Sequence, residues 1–213
     1  MDSEYLADVS LRKREKIMSI SLAKGQTLSL EKKSGLTKIF MGCGWDPAQP
    51  KKKGFLGGLF GGGGADDIDL DASVIVFDDG KQAIDLVWFK QLKSNDGSIQ
   101  HSGDNLTGEG DGDDETIYVD LRSLDSRAKY LVFTVNSFRG QTFDEVDNAF
   151  ARLVDDSTKS EICRYTLTEK GRHTGVVMAS MEKTSSGWQM TAHGTPTNGR
   201  TAQELVGAAM AEI

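Results

Sequence analysis

Short apolar runs, each closed by turn chemistry, recur along most of this chain. Ile17–Leu22, Thr27–Leu30 and Leu36–Gly42 come first, separated by Lys-Gly and Ser-Gly steps. Asp69–Phe77 alternates, then becomes continuously apolar at Val74-Ile75-Val76-Phe77. Asp78-Asp79-Gly80-Lys81 has the composition of a hairpin turn, and Ala83–Phe89 returns as the partner strand. Thr116–Leu121, Tyr130–Val135, Glu161–Leu167, Gly175–Met181 and Trp188–Ala192 continue the rhythm, with Ser185-Ser186-Gly187 as the last turn. Many short strands with turns between them predict a mainly β fold, a two-sheet antiparallel β-sandwich with a few short helices.

Two stretches carry helical signals. Thr142–Val154 puts Phe143, Val146, Phe150 and Val154 on one face, but Asn148–Val154 reads equally well as a strand. Thr201–Glu212 has Thr201 and Glu204 in capping-box spacing and predicts a C-terminal helix. Residues 1–16 form a charged N-terminal extension without an apolar signal core. The remainder, 17–213, reads as one domain interrupted by a flexible Gly/Lys-rich insertion at 47–65. Lys51-Lys52-Lys53 with Phe55, Leu56, Leu59 and Phe60 suits docking on a membrane surface or a partner; a solvated loop is the plainer reading. No GxxxxGK[ST] motif occurs, so the glycines are not a phosphate loop.

Charge sharpens this picture. The net charge is −7, from 32 acids and 25 bases. Ten of the acids fall in two clusters, Asp66, Asp67, Asp69 and Asp71, and the segment 103–115; without them 22 acids face 25 bases. The chain therefore carries a concentrated anionic site rather than general acidity. No basic stripe interleaved with aromatics points to nucleic acid, and no apolar run is long enough for a transmembrane segment. Cys43 and Cys163 fit no CxxC pattern and read as buried, reduced thiols.

Gly103–Glu115 (GDNLTGEGDGDDE) packs six carboxylates and one carboxamide among four glycines. Such crowding is repulsive unless a cation sits within it, and an all-oxygen donor set selects a hard ion, Ca²⁺ before Mg²⁺. The spacing is not that of an EF-hand: counted from Glu109, Asp114 occupies the position that requires glycine. Nor does anything repeat as in a calcium-binding nonapeptide array. Asp69 and Asp71 share one strand face and can complete the site from the sheet end, much as C2-type sandwiches place acids at one end of two sheets.

Catalysis has weak support. His101, His173 and His193 are scattered, and neither GxSxG nor HExxH occurs. The competing reading is a Mg²⁺-dependent phosphohydrolase built on the same carboxylates, with Arg139 as its substrate-facing cation.

Five segments together carry a resemblance: Gly42-Cys43-Gly44-Trp45-Asp46, Asp69-Leu70-Asp71-Ala72-Ser73, His101–Glu115, Phe138-Arg139-Gly140-Gln141 and Asn148-Ala149-Phe150. In order and spacing the chain resembles the TerD family of bacterial tellurium-resistance and stress-response proteins over most of 17–195. The KKKGFLGGLFGG insertion places it nearest the TerZ branch. The resemblance implies a cytoplasmic calcium-binding β-sandwich, peripheral at the inner membrane, that acts with other Ter-type proteins and a membrane-bound TerC-like partner in tellurite, phage and colicin resistance. It also implies the ligands of two Ca²⁺ ions: Asp69, Asp71, Asp104, Asn105, Gly108 (by its carbonyl), Glu109, Asp111, Asp113, Asp114 and Glu115.

Overall fold

The computed structural model describes residues 19–31, 35–48, 68–105 and 112–213. The extension at 1–16, nearly all of the insertion, and Gly108, Glu109 and Asp111 lie outside the described residues. Among the described residues, twelve strands form two six-stranded sheets. The first sheet runs β1 (Ile20–Leu22), β10 (Ser160–Thr166), β9 (Val146–Asp155), β3 (Lys38–Pro47), β7 (Glu115–Asp120) and β6 (Ile99–His101). The second runs β2 (Thr27–Ser29), β12 (Gly187–Thr197), β11 (Gly175–Thr184), β8 (Tyr130–Asn136), β4 (Asp71–Phe77) and β5 (Ala83–Val87). All pairings are antiparallel except β1 with β10.

Alternation decides which side chains face between the sheets. β3 turns Ile39, Met41, Cys43 and Trp45 inward, and β7 turns Ile117 and Val119 inward. β4 is buried on both faces, which explains its continuous apolar run. Ala72, Val74 and Val76 join the main core, while Ile75 and Phe77 pack with Val132 and Val177 beneath Ala209 of α1 (Val206–Ala211).

The structure decides the open reading of Thr142–Val154 for a strand and shortens the C-terminal helix. Phe143–Glu145 is a single 3₁₀ turn, and from Val146 the chain is strand β9, because β3 and β10 pair with it on either side. At the C-terminus, Glu204 does accept hydrogen bonds from the Arg200 N–H (3.0 Å) and the Thr201 hydroxyl (3.3 Å). These close a turn, and the α-helix covers only Val206–Ala211.

The sandwich brings one set of strand ends together. Asp71 pairs with Asn136 where β4 begins and β8 ends, and Cys43 pairs with Glu115 where β7 begins. The described residues of both acidic segments, Asp69, Asp71, Asp104, Asn105 and Asp113–Glu115, lie at this end.

Candidate metal centre

Asp69 and Asp71 straddle the entry to β4, and Asp104 follows β6 on the opposite sheet. One carboxylate oxygen from each lies within 4.8 Å of the other two. Asp69 and Asp71 are buried and Asp104 is exposed, so the group opens to solvent on one side. Among the described residues this is the set of three close enough to share one ion.

The two buried carboxylates are oriented by neighbours. The Asp69 N–H donates to Gln141 Oε1 (3.2 Å), and Arg139 Nε meets Asp69 Oδ2 at 2.8 Å. Asp69 Oδ1 is buried and has no hydrogen-bond partner among the described residues. Asp71 accepts a hydrogen bond from the Phe138 backbone N–H. Burial, then the negative charges of Glu115, Asp69 and Asp104, push the Asp71 carboxyl up to about 8. Burial likewise raises Asp69 above the usual carboxylate range, opposed by Arg139 and reinforced by Asp104 and Glu115. Without an ion, the fold holds these groups against their preference to ionise.

Glu115 links the two sheets beneath this group. It is only 1% exposed. Its Oε2 accepts the Ala72 N–H at 2.7 Å and its Oε1 accepts the Asn105 N–H at 3.1 Å. His101 Nδ1 accepts the Gly103 N–H, so its remaining hydrogen sits on Nε2, facing Ala72 O (3.0 Å) and Glu115 Oε2 (3.3 Å). Both ring nitrogens are therefore engaged in structural contacts.

The neighbouring acids have other partners. Asp113 makes a two-pronged ion pair with Arg152, at 2.6 Å and 2.8 Å. Asp114 accepts the Trp45 N–H (2.8 Å) and the Asn105 side-chain amide (3.1 Å), and burial raises its carboxyl. Thus the structure brings Asp69, Asp71 and Asp104 together, sets Glu115 and Asn105 directly behind them, and turns Asp113 toward Arg152. Arg152 lies on β9, opposite Gly42. No sequence pattern marks it.

Trp45 ties the acidic segments together: its indole N–H donates to Ile68 O at 3.0 Å, just before Asp69. Asn148 adopts a left-handed φ of 53° and donates from Nδ2 to Asp46 Oδ2 at 2.7 Å. Gly44 permits a close approach: a Cβ there would lie 2.5 Å from Gly112 O and from the Phe150 ring. Gly44→Ala is expected to destabilise the protein by about 1–3 kcal/mol, measured by urea unfolding. A change within error would contradict this packing.

Cys43 is buried beside this centre, and burial followed by Glu115, Asp113 and Asp114 pushes its thiol far above the ordinary range. Cys163 is also buried, and neither cysteine is in a disulfide.

Comparison with known proteins now places the fold and its motifs. Residues 18–207 match the TerD domain. The chain belongs to the TerD family. It is 52% identical over 187 residues to tellurium resistance protein TerZ of Serratia marcescens, covering 87% of this chain and 94% of that one. Stress response protein SCP2 of Bacillus subtilis is 42% identical over 198 residues, covering 89% and 98%. This TerD-family chain thus lies close to TerZ. A crystal structure of a TerD homologue from Streptomyces coelicolor shares the fold, with a TM-score of 0.62 at 19% identity over 81% of this chain and 96% of that one. No helix among the described residues is long and apolar enough to cross a membrane.

Proposed function

We propose that this TerD-family protein is a calcium-stabilised interaction module rather than a catalyst. The observation that carries the reading is the group Asp69, Asp71 and Asp104, with its buried, unpartnered Asp69 Oδ1. A hard divalent ion supplies what that oxygen lacks and offsets the repulsion that raises Asp71. Asp69, Asp71 and Asp104 would hold it, and Glu115 and Asn105 would support them from behind. Gly108, Glu109 and Asp111 belong to the same motif and are proposed to complete the coordination, including that of a second ion. When bound, the ion supplies charge neutralisation that locks this end of the sandwich.

Two features favour binding over hydrolysis. Arg139, the cation a phosphohydrolase would direct at its substrate, is paired with Asp69. His101 is committed at both nitrogens. The family's implication adds a cytoplasmic setting with other Ter-type proteins and a membrane-bound TerC-like partner.

Protons provide the test. A carboxyl raised to about 8 still carries its proton at neutral pH and must release it to ligate an ion. Calcium affinity is therefore expected to rise with pH up to about 8, with close to one proton released per site at pH 7. Calorimetry in two buffers of different ionisation enthalpy measures this. Identical heats in both buffers, together with a flat pH profile, would remove Asp71 from the site.

The metal-free protein should show the opposite trend. Asp71 is raised in the folded state, so between about pH 4 and pH 8 the folded form binds a proton that the unfolded form lacks. That contribution is fully present below about pH 4 and is lost as pH rises toward 8, at up to about 1.4 kcal/mol per pH unit.

A further inference from the structure

The loops that flank the metal centre carry an unusual combination of side chains. After β5, Trp88 and Gln91 exchange backbone hydrogen bonds, leaving Phe89 and Lys90 at the tip of a tight turn. After β8 the chain continues into Phe138 and Arg139. Since β4 lies between β5 and β8, both loops meet at the end where Asp69 and Asp71 stand. The Phe89 and Phe138 rings pack edge to face at 5.6 Å, and Trp88 supports Phe89 at 4.9 Å. Phe138 is nevertheless 43% exposed.

A cation sits among these rings. Lys90 Nζ lies 4.9 Å from the Phe138 ring, 5.2 Å from Phe89 and 5.3 Å from Trp88. Lys90 has no carboxylate partner among the described residues. The Arg200 guanidinium lies against Gly140, where an added Cβ would sit 2.9 Å from it, and it too has no carboxylate partner among the described residues. Arg139, in the same loop as Phe138 and Gly140, is paired with Asp69. Lys90 and Arg200 are thus rim cations without a carboxylate partner among the described residues, and a calcium ion held by the trio would offset much of its negative charge. Asp69 Oδ1 is the unpartnered oxygen, so an ion can bind without displacing Arg139 from Oδ2.

We propose that this rim docks the calcium-loaded protein on an anionic phospholipid surface. The proposal rests on the calcium reading above. Aromatic rings with a cation among them suit the boundary between headgroups and acyl chains. Arg200 and Lys90 would meet headgroup phosphates, and phosphate oxygens are also proper ligands for a calcium ion open on its Asp104 side. An acidic peptide would satisfy the cations but leave the exposed Phe138 ring with no apolar partner. Position and loading are coupled, because the Phe138 N–H that orients Asp71 belongs to the residue whose ring faces the lipid.

The test is co-sedimentation of the full chain with vesicles of phosphatidylglycerol mixed with phosphatidylcholine, against vesicles of phosphatidylcholine alone. Each is run with calcium and with chelator, and the calcium-induced melting shift is recorded on the same samples. Calcium-dependent binding to the anionic vesicles alone is expected. Lys90→Glu should weaken it at least fivefold, as loss of one cation near an anionic surface does, and Phe138→Ser should also weaken it. Lys90→Glu should keep the full calcium-induced melting shift, since its side chain does not hold the ion. A normal melting shift without vesicle binding overturns the docking proposal and leaves the calcium reading standing. Vesicle binding unchanged in both variants also overturns it and moves the contact elsewhere. No melting shift in the unsubstituted chain overturns both.

Discussion

Replacing Asp71 and Asp104 together by Asn is expected to abolish stabilisation by calcium and, at the same time, to make the metal-free protein more stable. The two effects share one cause. Asp71 is 3% exposed, and its carboxyl is raised by burial and by three neighbouring carboxylates. An amide of the same shape keeps an oxygen for the Phe138 N–H and removes the charge that the fold holds at a cost. The gain in the metal-free state should be about 1–3 kcal/mol at pH 8. An ion that binds only the folded state stabilises by about 2.7 kcal/mol at a hundredfold excess over its Kd. For a chain of this length that corresponds to ~5–10 °C in Tm. The double variant should lose this shift entirely. A calcium-induced shift of the original size in the variant would sink the assignment of these two ligands.

Glu115→Ala should be the most damaging single change at this end of the molecule. Truncation strands the buried N–H groups of Ala72 and Asn105 and takes away the acceptor facing His101. Breaking a buried, hydrogen-bonded charge in this way costs about 3–5 kcal/mol, or ~6–20 °C in Tm. Loss of its charge also relieves Asp71, which acts in the opposite direction. Unfolding is therefore best compared at pH 6, where Asp71 holds its proton and the relief is small. Glu115→Gln retains the shape and one acceptor, and should cost about 1–3 kcal/mol. Equal stability of Glu115→Ala and the unsubstituted chain at pH 6 would show that this carboxylate does not join the sheets.

Strands were readable from the chain where alternation met turn residues. β4 and β5 with the intervening Asp78–Lys81 turn are the clearest case, although the register that sets Val74 opposite Val87 depends on an irregularity between Val76 and Phe77 that the turn does not signal. β6 gave no such signal: three residues, Ile99-Gln100-His101, carry too short a pattern. The spacing of Phe143, Val146, Phe150 and Val154 fits a helix as well as a strand, and only the neighbours β3 and β10 decide for β9. α1 is shorter than its propensity suggested because the Glu204 carboxylate closes a turn ahead of it.

The centre shows the same division. Acid density located Asp69, Asp71 and the 103–115 segment, because charge crowding is a local property of sequence. What each carboxylate contacts is not local. Arg152 reaches Asp113 across 39 residues because Gly42, its neighbour on β3, has no side chain in the way: a Cβ there would lie 2.3 Å from the Asp113 carboxylate. Arg139 stood out in sequence as a substrate-facing cation, and the fold gave it Asp69 instead.

A crystal structure of the full chain grown with calcium tests the central claim most directly. One ion is expected between Asp69, Asp71 and Asp104, held by roughly six to eight oxygens at about 2.3–2.6 Å, with Asp69 Oδ1 among them. An ion bound elsewhere with this trio unligated, or an octahedral ion at about 2.0–2.1 Å held mostly by water, would contradict it.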